Sequence, residues 1–325
     1  MQSDTKKRVG ILRGGSGKHY ASSLKKGAEL LTHIFENLPD KYKPVDILID
    51  KDYIWHLGGV PVNPGDLMHK VDVVWNTSHP SFSNILESLS IPVVESSTHS
   101  FFDSNNDMLR EHVKGIDLEM PRSIVLPVYQ KDFDGPRERY AIKKAKEIFE
   151  KFGSPWIVKP ASPAGGSLTP DLGMAMHVAK TFPELVNAIE DGVKHERSII
   201  VEEFITGRVA SVHSVPHFRG EDLYVFPIMG IFSGEKVPTP RGVGIPTESV
   251  GEKLENLARN LHSHIDAGHY LKSNFVLNPR GRIYLLSIES APDLKEGSHF
   301  SLVCESVGAK MHHVVEHILE RAFVL

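Results

Sequence analysis

The stretch Ile157-Val158-Lys159-Pro160 is followed, beyond a glycine-bearing segment, by Ile199-Ile200-Val201-Glu202-Glu203-Phe204-Ile205-Thr206-Gly207. Both open as unbroken apolar runs rich in β-branched residues, the composition of buried strands. The first run ends in a lysine and the second in two carboxylates. Between them lie Gly165, Gly166 and Ser167. Backbone N–H groups unshielded by side chains, with an ammonium close by, suit a polyphosphate. An acidic strand end followed by Phe204 and Ile205 suits an adenine ring. Taken singly, each of these elements is more often structural than functional.

Further on, Lys272 to Leu277 and Arg282 to Glu289 flank the turn Asn278-Pro279-Arg280-Gly281 and read as a hairpin. Pairing Leu277 with Arg282 puts Lys272 opposite Ser287 and Asn274 opposite Leu285. Because side chains alternate across a sheet, Lys272, Asn274, Ser287 and Glu289 then share one face. A lysine, an amide, a hydroxyl and a carboxylate on one face suit a phosphate and a metal ion. A plain solvated face is the alternative.

The first third alternates strands and helices. Val9 to Leu12, Val45 to Ile49, Val71 to Trp75 and Ile91 to Val94 read as strands, Ser22 to Glu36 and Phe82 to Leu89 as helices. Such alternation predicts a parallel sheet covered by helices. The glycine turn Gly14-Gly15-Ser16-Gly17 after the first strand is not a phosphate loop. Gly17-Lys18 is followed by His19, and Leu12 stands where the first glycine belongs. The dinucleotide fingerprint fails as well, at Tyr20. A ligand approaching the following helix and a plain tight turn fit these glycines equally. Farther along, helices are expected at 103–113, 137–152, 183–193, 249–264 and 302–323. Strands are expected at 122–126, 209–215 and 223–231.

The 325 residues are 40% apolar and 24% charged, which excludes a disordered or collagen-like chain and suggests two domains or several subdomains. A formal charge of −4 gives no nucleic-acid footprint. The single cysteine, Cys304, excludes an internal disulfide and a cysteine-based zinc site. The 18 histidines are scattered, with no metal-ligand spacing. No apolar run is long enough for a membrane span, and the N-terminal one is too short for a signal peptide. A cytoplasmic protein without nucleic-acid or membrane partners is expected.

In their order along the chain these pieces resemble the ATP-grasp superfamily, and within it the D-alanine–D-alanine ligases. Val9 to Ser16 looks like the family's opening strand and glycine turn. Ile157 to Pro160 looks like its ATP-binding lysine strand, Val201 to Gly207 its adenine strand, and Ile283 to Pro292 its metal-binding strand. Ser298-His299-Phe300-Ser301-Leu302-Val303 looks like its closing Ser-His-Ser-Leu motif with an insertion. The resemblance implies an ATP-grasp fold of mixed α/β and α+β type with an N-terminal Rossmann-like unit. It implies three domains: 1–97, 98–204 and 205–325. It further implies small-molecule substrates, a homodimer, and a ligase reaction using ATP and Mg²⁺. In that reaction ATP phosphorylates one carboxylate and an amine attacks the acyl phosphate.

Carried over position by position, the resemblance puts Lys159 on the nucleotide phosphates with Gly165, Gly166 and Ser167. Glu202 and Glu203 lie at the adenine, which Phe204, Ile205 and Phe275 contact. Lys272 is the catalytic cation on the reacting phosphoryl group. It replaces an arginine, so charge is kept and the bidentate fork is lost. Ser301 and Leu302 fall at the substrate. His19 stands where a glutamate holds the first substrate's amine, which implies a first substrate without a free ammonium there. Met108 replaces a phosphate-binding lysine and Val209 a ribose-binding glutamate. Gly166 replaces a serine, and 234–246 is a shortened lid that retains Lys236 and Arg241. The metal set, an aspartate, a glutamate and an asparagine in the family, becomes Asn274, Ser287 and Glu289. With one carboxylate left, one Mg²⁺ is expected rather than two, unless Asp293 or Glu296 helps. Three readings follow: a ligase of altered substrate, the family's own dipeptide ligase, and a catalytically degenerate nucleotide-binding or structural protein.

Overall fold

The computed structural model describes residues 6–15, 20–94, 106–161, 176–195, 198–231 and 248–323. In chain order come β1 (Lys7–Gly14), α1 (Tyr20–Asn37), β2 (Tyr42–Ile49), β3 (Trp55–Leu57), β4 (Val60–Val62) and β5 (Val73–Asn76). They are followed by α2 (Ser81–Ser88), α3 (Asn106–Val113), β6 (Ser123–Leu126), α4 (Lys131–Asp134) and α5 (Arg137–Lys151). Next are β7 (Trp156–Pro160), β8 (His177–Ala179), α6 (Phe182–Lys194), β9 (Ile199–Glu203) and β10 (Arg208–Pro216). The chain ends with β11 (Leu223–Val225), β12 (Met229–Ile231), α7 (Glu248–Ile265), β13 (Leu271–Leu277), β14 (Ile283–Glu289), α8 (His299–Ser306) and α9 (Met311–Ala322). Contacts divide the chain into two compact units. One takes Met1–Leu118, Arg208–Phe275 and Ser287–Leu325, the other Glu119–Gly207 and Val276–Leu286.

In the larger unit, one sheet runs β4-β3-β2-β1-β5. β1 lies parallel to both neighbours, with Val9 beside Pro44 and Val73. A strand flanked by parallel partners is covered on both faces, which explains its apolar run. Val9 and Ile11 enter one core with Leu30, Ile34, Val73 and Trp75. Leu12 joins another with Ile47, Ile49, Val74 and Phe82. Each such side chain removed from water contributes roughly 1.5–3 kcal/mol. The short hairpin β3–β4 continues the sheet antiparallel from β2. The strand expected at Ile91 to Val94 shrinks to one parallel bridge, Val93 to Val74.

The same unit carries most of a second sheet, ordered β11-β10-β13-β14, with β12 also on β10. The single strand expected from Leu223 to Ile231 is two short ones, which pair with opposite ends of β10. Pro227, between them, has no N–H to give a ladder. The closing helix expected from Leu302 to Phe323 is likewise two. Gly308, at φ 69°, ends α8 in the left-handed region, and α9 starts afresh at Met311. α9 then buries Val314, Val315, Ile318 and Leu319 at helical spacing.

The smaller unit is an antiparallel sheet ordered β6-β9-β7-β8. α5 and α6 supply Tyr140, Ala141, Ala145, Ile148, Leu185 and Ile189 to a core with Trp156, Val158 and Val201. Thr181 caps α6, its hydroxyl accepting from the Glu184 N–H at 3.4 Å. The tip of the β13–β14 hairpin belongs to this unit, where the Leu285 N–H donates to the Glu119 carbonyl at 2.8 Å.

Candidate functional site

Three places gather chemistry. The first is the C-terminal edge of the parallel sheet. The chain leaves β1 to build β2 on one side and β5 on the other, so the ends of β1 and β5 form a topological switch point, where open α/β sheets bind ligands. Gly14 and Gly15 follow β1 at φ 95° and 94°. A Cβ on Gly14 would lie 2.1 Å from the Ile49 carbonyl oxygen, so no other residue fits that turn. Ser78 Oγ donates to the Gly14 carbonyl at 2.7 Å, and the Gly14 N–H donates to Ser23 Oγ at 2.8 Å. Asn76, buried, donates to Ser83 Oγ at 2.9 Å and accepts from the Ser78 N–H at 2.8 Å. His79 follows, its Nδ1 2.8 Å from Ser81 Oγ and its pKa lowered by burial. These polar residues after β5 were not singled out in the sequence. The signal available was their position after a parallel strand. His19 lies outside the described residues.

The second place is the lysine strand. Antiparallel pairing sets Ile157 beside Glu202 and Lys159 beside Ile200, so Lys159 and Glu202 are diagonal neighbours on one face. The Lys159 ammonium donates to Glu202 Oε2 at 2.6 Å. Glu203 faces the other way. The Arg122 guanidinium forks onto it at 2.8 and 2.9 Å and holds its carboxyl below the usual range. Phe204 is partly exposed and its N–H donates to the Pro155 carbonyl at 3.0 Å; Ile205 is half-buried. Gly165, Gly166 and Ser167 lie outside the described residues, as does 234–246.

The third place is the face of β13 and β14. Lys272 Nζ donates to Glu289 Oε1 at 2.7 Å. The Asn274 amide nitrogen donates to Ser287 Oγ at 3.0 Å and to Glu289 Oε1 at 3.3 Å. All four side chains therefore meet on one face. Sequence reasoning missed Ser211 on the neighbouring β10, whose hydroxyl donates to Asn274 Oδ1 at 2.7 Å. Phe275 alternates to the opposite face and is fully buried. Ser301 and Leu302 sit in the first turn of α8. Ser301 is buried and donates to Glu305 Oε1 at 3.1 Å, while Leu302 packs on the core.

Beside this face, His213 on β10 is buried, another residue not foreseen. Its Nδ1 is 2.7 Å from the Tyr270 hydroxyl and its Nε2 is 2.7 Å from His299 Nδ1. Burial drives its pKa well down, helped by His299 and then by the Lys272 charge, so it is neutral.

The donors of the third face test the expected magnesium. Among the described residues no three His, Cys, Asp or Glu side chains gather to hold a metal ion. Asp293 Oδ1 accepts instead from the Lys295 N–H at 3.3 Å. Glu289 is the one carboxylate in the set. Its Oε1 already carries Lys272 and Asn274, while Oε2 accepts no hydrogen bond from the described residues. With phosphate oxygens as co-ligands, Oε2 fits one hard cation and the set offers no second carboxylate.

No family model matches the chain. The D-alanine–D-alanine ligase of Paraburkholderia phymatum is 26% identical over 185 residues, covering 54% of this chain and 56% of that one. The D-alanine–D-alanine ligase of Fervidobacterium nodosum is 22% identical over 342 positions, covering 97% of this chain and 98% of that one. The crystal structure of D-alanyl-alanine synthetase A from Vibrio cholerae superposes with a TM-score of 0.77 at 19% identity, covering 98% and 99%. The D-alanine–D-alanine ligase from Bacillus anthracis, in a structure complexed with ATP, superposes with a TM-score of 0.71 at 18% identity, covering 98% of each chain. Among the described residues no helix is long and apolar enough to cross a membrane. The chain therefore has the fold of the D-alanine–D-alanine ligases, the ATP-grasp fold, and resembles them along nearly its whole length.

Proposed function

We propose that the chain is an ATP-dependent carboxylate–amine ligase acting through an acyl phosphate. The observation that carries this reading is the convergence of Lys272, Asn274, Ser287 and Glu289 on one face. In this reading Lys159 takes nucleotide phosphate with the backbone of Gly165, Gly166 and Ser167, and Glu202 accepts from the adenine amino group. Their 2.6 Å ion pair is the resting state that the nucleotide opens. Phe204 and Ile205 flank the base. Glu203 and Phe275, facing away, support the strands that carry the site rather than touch the ligand.

In this reading the first substrate lies at the switch point beside Gly15 and His79, and the resemblance adds His19, Ser301 and Leu302 to its contacts. Its carboxylate oxygen attacks the γ-phosphorus and ADP leaves. Lys272 neutralises charge on the transferring group, the electrostatic role of a fixed cation. The amine of the second substrate then forms the C–N bond, losing a proton, as phosphate departs with the former carboxylate oxygen. One Mg²⁺, held by Glu289 Oε2 beside Ser287, would supply further charge neutralisation when bound. With a histidine in place of a substrate-holding glutamate, the first substrate is a D-amino acid analogue without a free ammonium there, such as a hydroxy acid. The reading also takes a cytoplasmic homodimer and three functional divisions, 1–97, 98–204 and 205–325.

Transfer of ¹⁸O tests this reading. A substrate labelled in its carboxylate passes one label into the released phosphate if an acyl phosphate forms. Unlabelled phosphate alongside product formation rejects it. A second reading, a degenerate nucleotide-binding protein, is favoured by the pairing of Lys272 with the only carboxylate of the set. It predicts nucleotide binding with no phosphate release.

A further inference from the structure

We propose that the Lys272 ammonium takes the place of a second divalent cation, so that nucleotide phosphates here meet one metal ion and one built-in side-chain cation. This rests on the nucleotide-binding reading above. Three observations lead to it. A carboxylate only accepts hydrogen bonds, so the Asn274 atom 3.3 Å from Glu289 is its NH₂ group. The Ser211 hydroxyl donates to Oδ1 at 2.7 Å from β10, in keeping with that orientation. The NH₂ group thus lies on the Glu289 side, and a cation between Asn274 and Glu289 would face an N–H donor.

Lys272 Nζ, 2.7 Å from Glu289 Oε1, already occupies the cation position on that oxygen. Its side chain is only 22% exposed, so the ammonium is fixed by packing as well as by charge. Finally, Lys272 and Glu289 sum to zero charge. The described side chains of this face add no net negative charge with which to hold a second dication, and a hard cation needs such oxygens. The remaining N–H groups of Lys272 and the Ser287 hydroxyl are donors that suit phosphate oxygens. Glu289 accordingly serves two purposes: Oε1 is the counter-ion of Lys272, and Oε2 is left for a single metal ion.

The full-length protein is titrated with the β,γ-imido analogue of ATP. Bound Mn²⁺ is counted by electron paramagnetic resonance, and affinity is measured by calorimetry with Mn²⁺ and in EDTA. The expected result is one Mn²⁺ per bound nucleotide, with clear binding persisting in EDTA. Lys272→Met weakens the EDTA binding by at least about tenfold, the scale of one charge-assisted hydrogen bond, and Lys272→Arg retains it. Two Mn²⁺ per nucleotide in the wild-type protein overturn the proposal. So does a Lys272→Met protein that binds in EDTA as well as the wild type. Binding by the wild type only with Mn²⁺ overturns it while leaving the nucleotide reading intact. No binding under any condition removes both.

Discussion

Replacing Lys159 by Met strands a carboxylate. Glu202 keeps its place on β9, between ladder partners on β7 and β6, with its side chain only 11% exposed. Its ion-pair partner among the described residues is Lys159, at 2.6 Å. Breaking a fully buried pair costs about 3–5 kcal/mol, and an exposed one about 0.2–1 kcal/mol. The Lys159 side chain is 30% exposed, so water screens part of the interaction. We therefore expect Lys159→Met to destabilise the protein by roughly 1–3 kcal/mol. Glu202→Gln, which leaves the ammonium able to reach solvent, should cost less. The double variant should recover part of the loss, giving a coupling energy of about 1 kcal/mol or more. Urea unfolding of the four proteins, followed by circular dichroism at pH 7, supplies the cycle. A coupling below about 0.3 kcal/mol would refute the reasoning, because it would mean that the pair is fully solvated. The same variants connect stability to function. If the nucleotide separates the pair, ATP raises the melting temperature of the wild type and loses that effect in Lys159→Met.

Three further outcomes are expected. His213 is neutral when folded, its pKa driven well below the usual value by burial, whereas in the unfolded chain it protonates near its ordinary value. Stability should thus be independent of this group above about pH 6.5 and fall by up to about 1.4 kcal/mol per pH unit below it. His79 and His312, also lowered by burial, act in the same direction, so the His213→Gln protein should lose part of the slope. Gly207→Ala should destabilise the smaller unit by roughly 2 kcal/mol or more in urea unfolding. Its Cβ would lie 2.2 Å from the Leu277 carbonyl oxygen, a backbone atom that cannot rotate away. Cys304 is buried and its thiol is pushed up to about 12, so an aromatic disulfide reagent should react with it only on unfolding. Rapid reaction in the native protein would contradict that burial.

The parts of the fold legible in the sequence are those set by local periodicity. The apolar run of β1 points to a buried strand, and the spacing of Leu24, Ala28, Leu31, Ile34 and Phe35 points to a helix at α1, although Ala28 and Phe35 are exposed and Leu30 is buried instead. The hairpin is the clearest case. Strand alternation across a four-residue turn suffices to bring Lys272, Asn274, Ser287 and Glu289 together, because every contact is local. The same rule, applied to adjacent residues, separates Glu202 from Glu203 and Asn274 from Phe275, since neighbours on a strand point to opposite faces. Ser211 and His213 stayed hidden for a different reason. Their roles depend on β10 lying beside β13, and no local pattern specifies which distant strand becomes a neighbour. β3 and β4 are three residues each, too short to display a period, and they are held by pairing, β3 with β2 and β4 with β3. In the closing helix the break was visible as Gly308, but the apolar pattern continues across it.

The most direct measurement is ATP-dependent phosphate release by the full-length protein. The panel pairs D-alanine, and D-hydroxy acids in its place, with a second D-amino acid, and mass spectrometry identifies the product. The ligase reading predicts release that requires a carboxylate substrate, matches product one for one, and collapses in Lys159→Met and Lys272→Met. Retained ATP binding with no substrate-dependent release across that panel would contradict it and leave the degenerate nucleotide-binding protein.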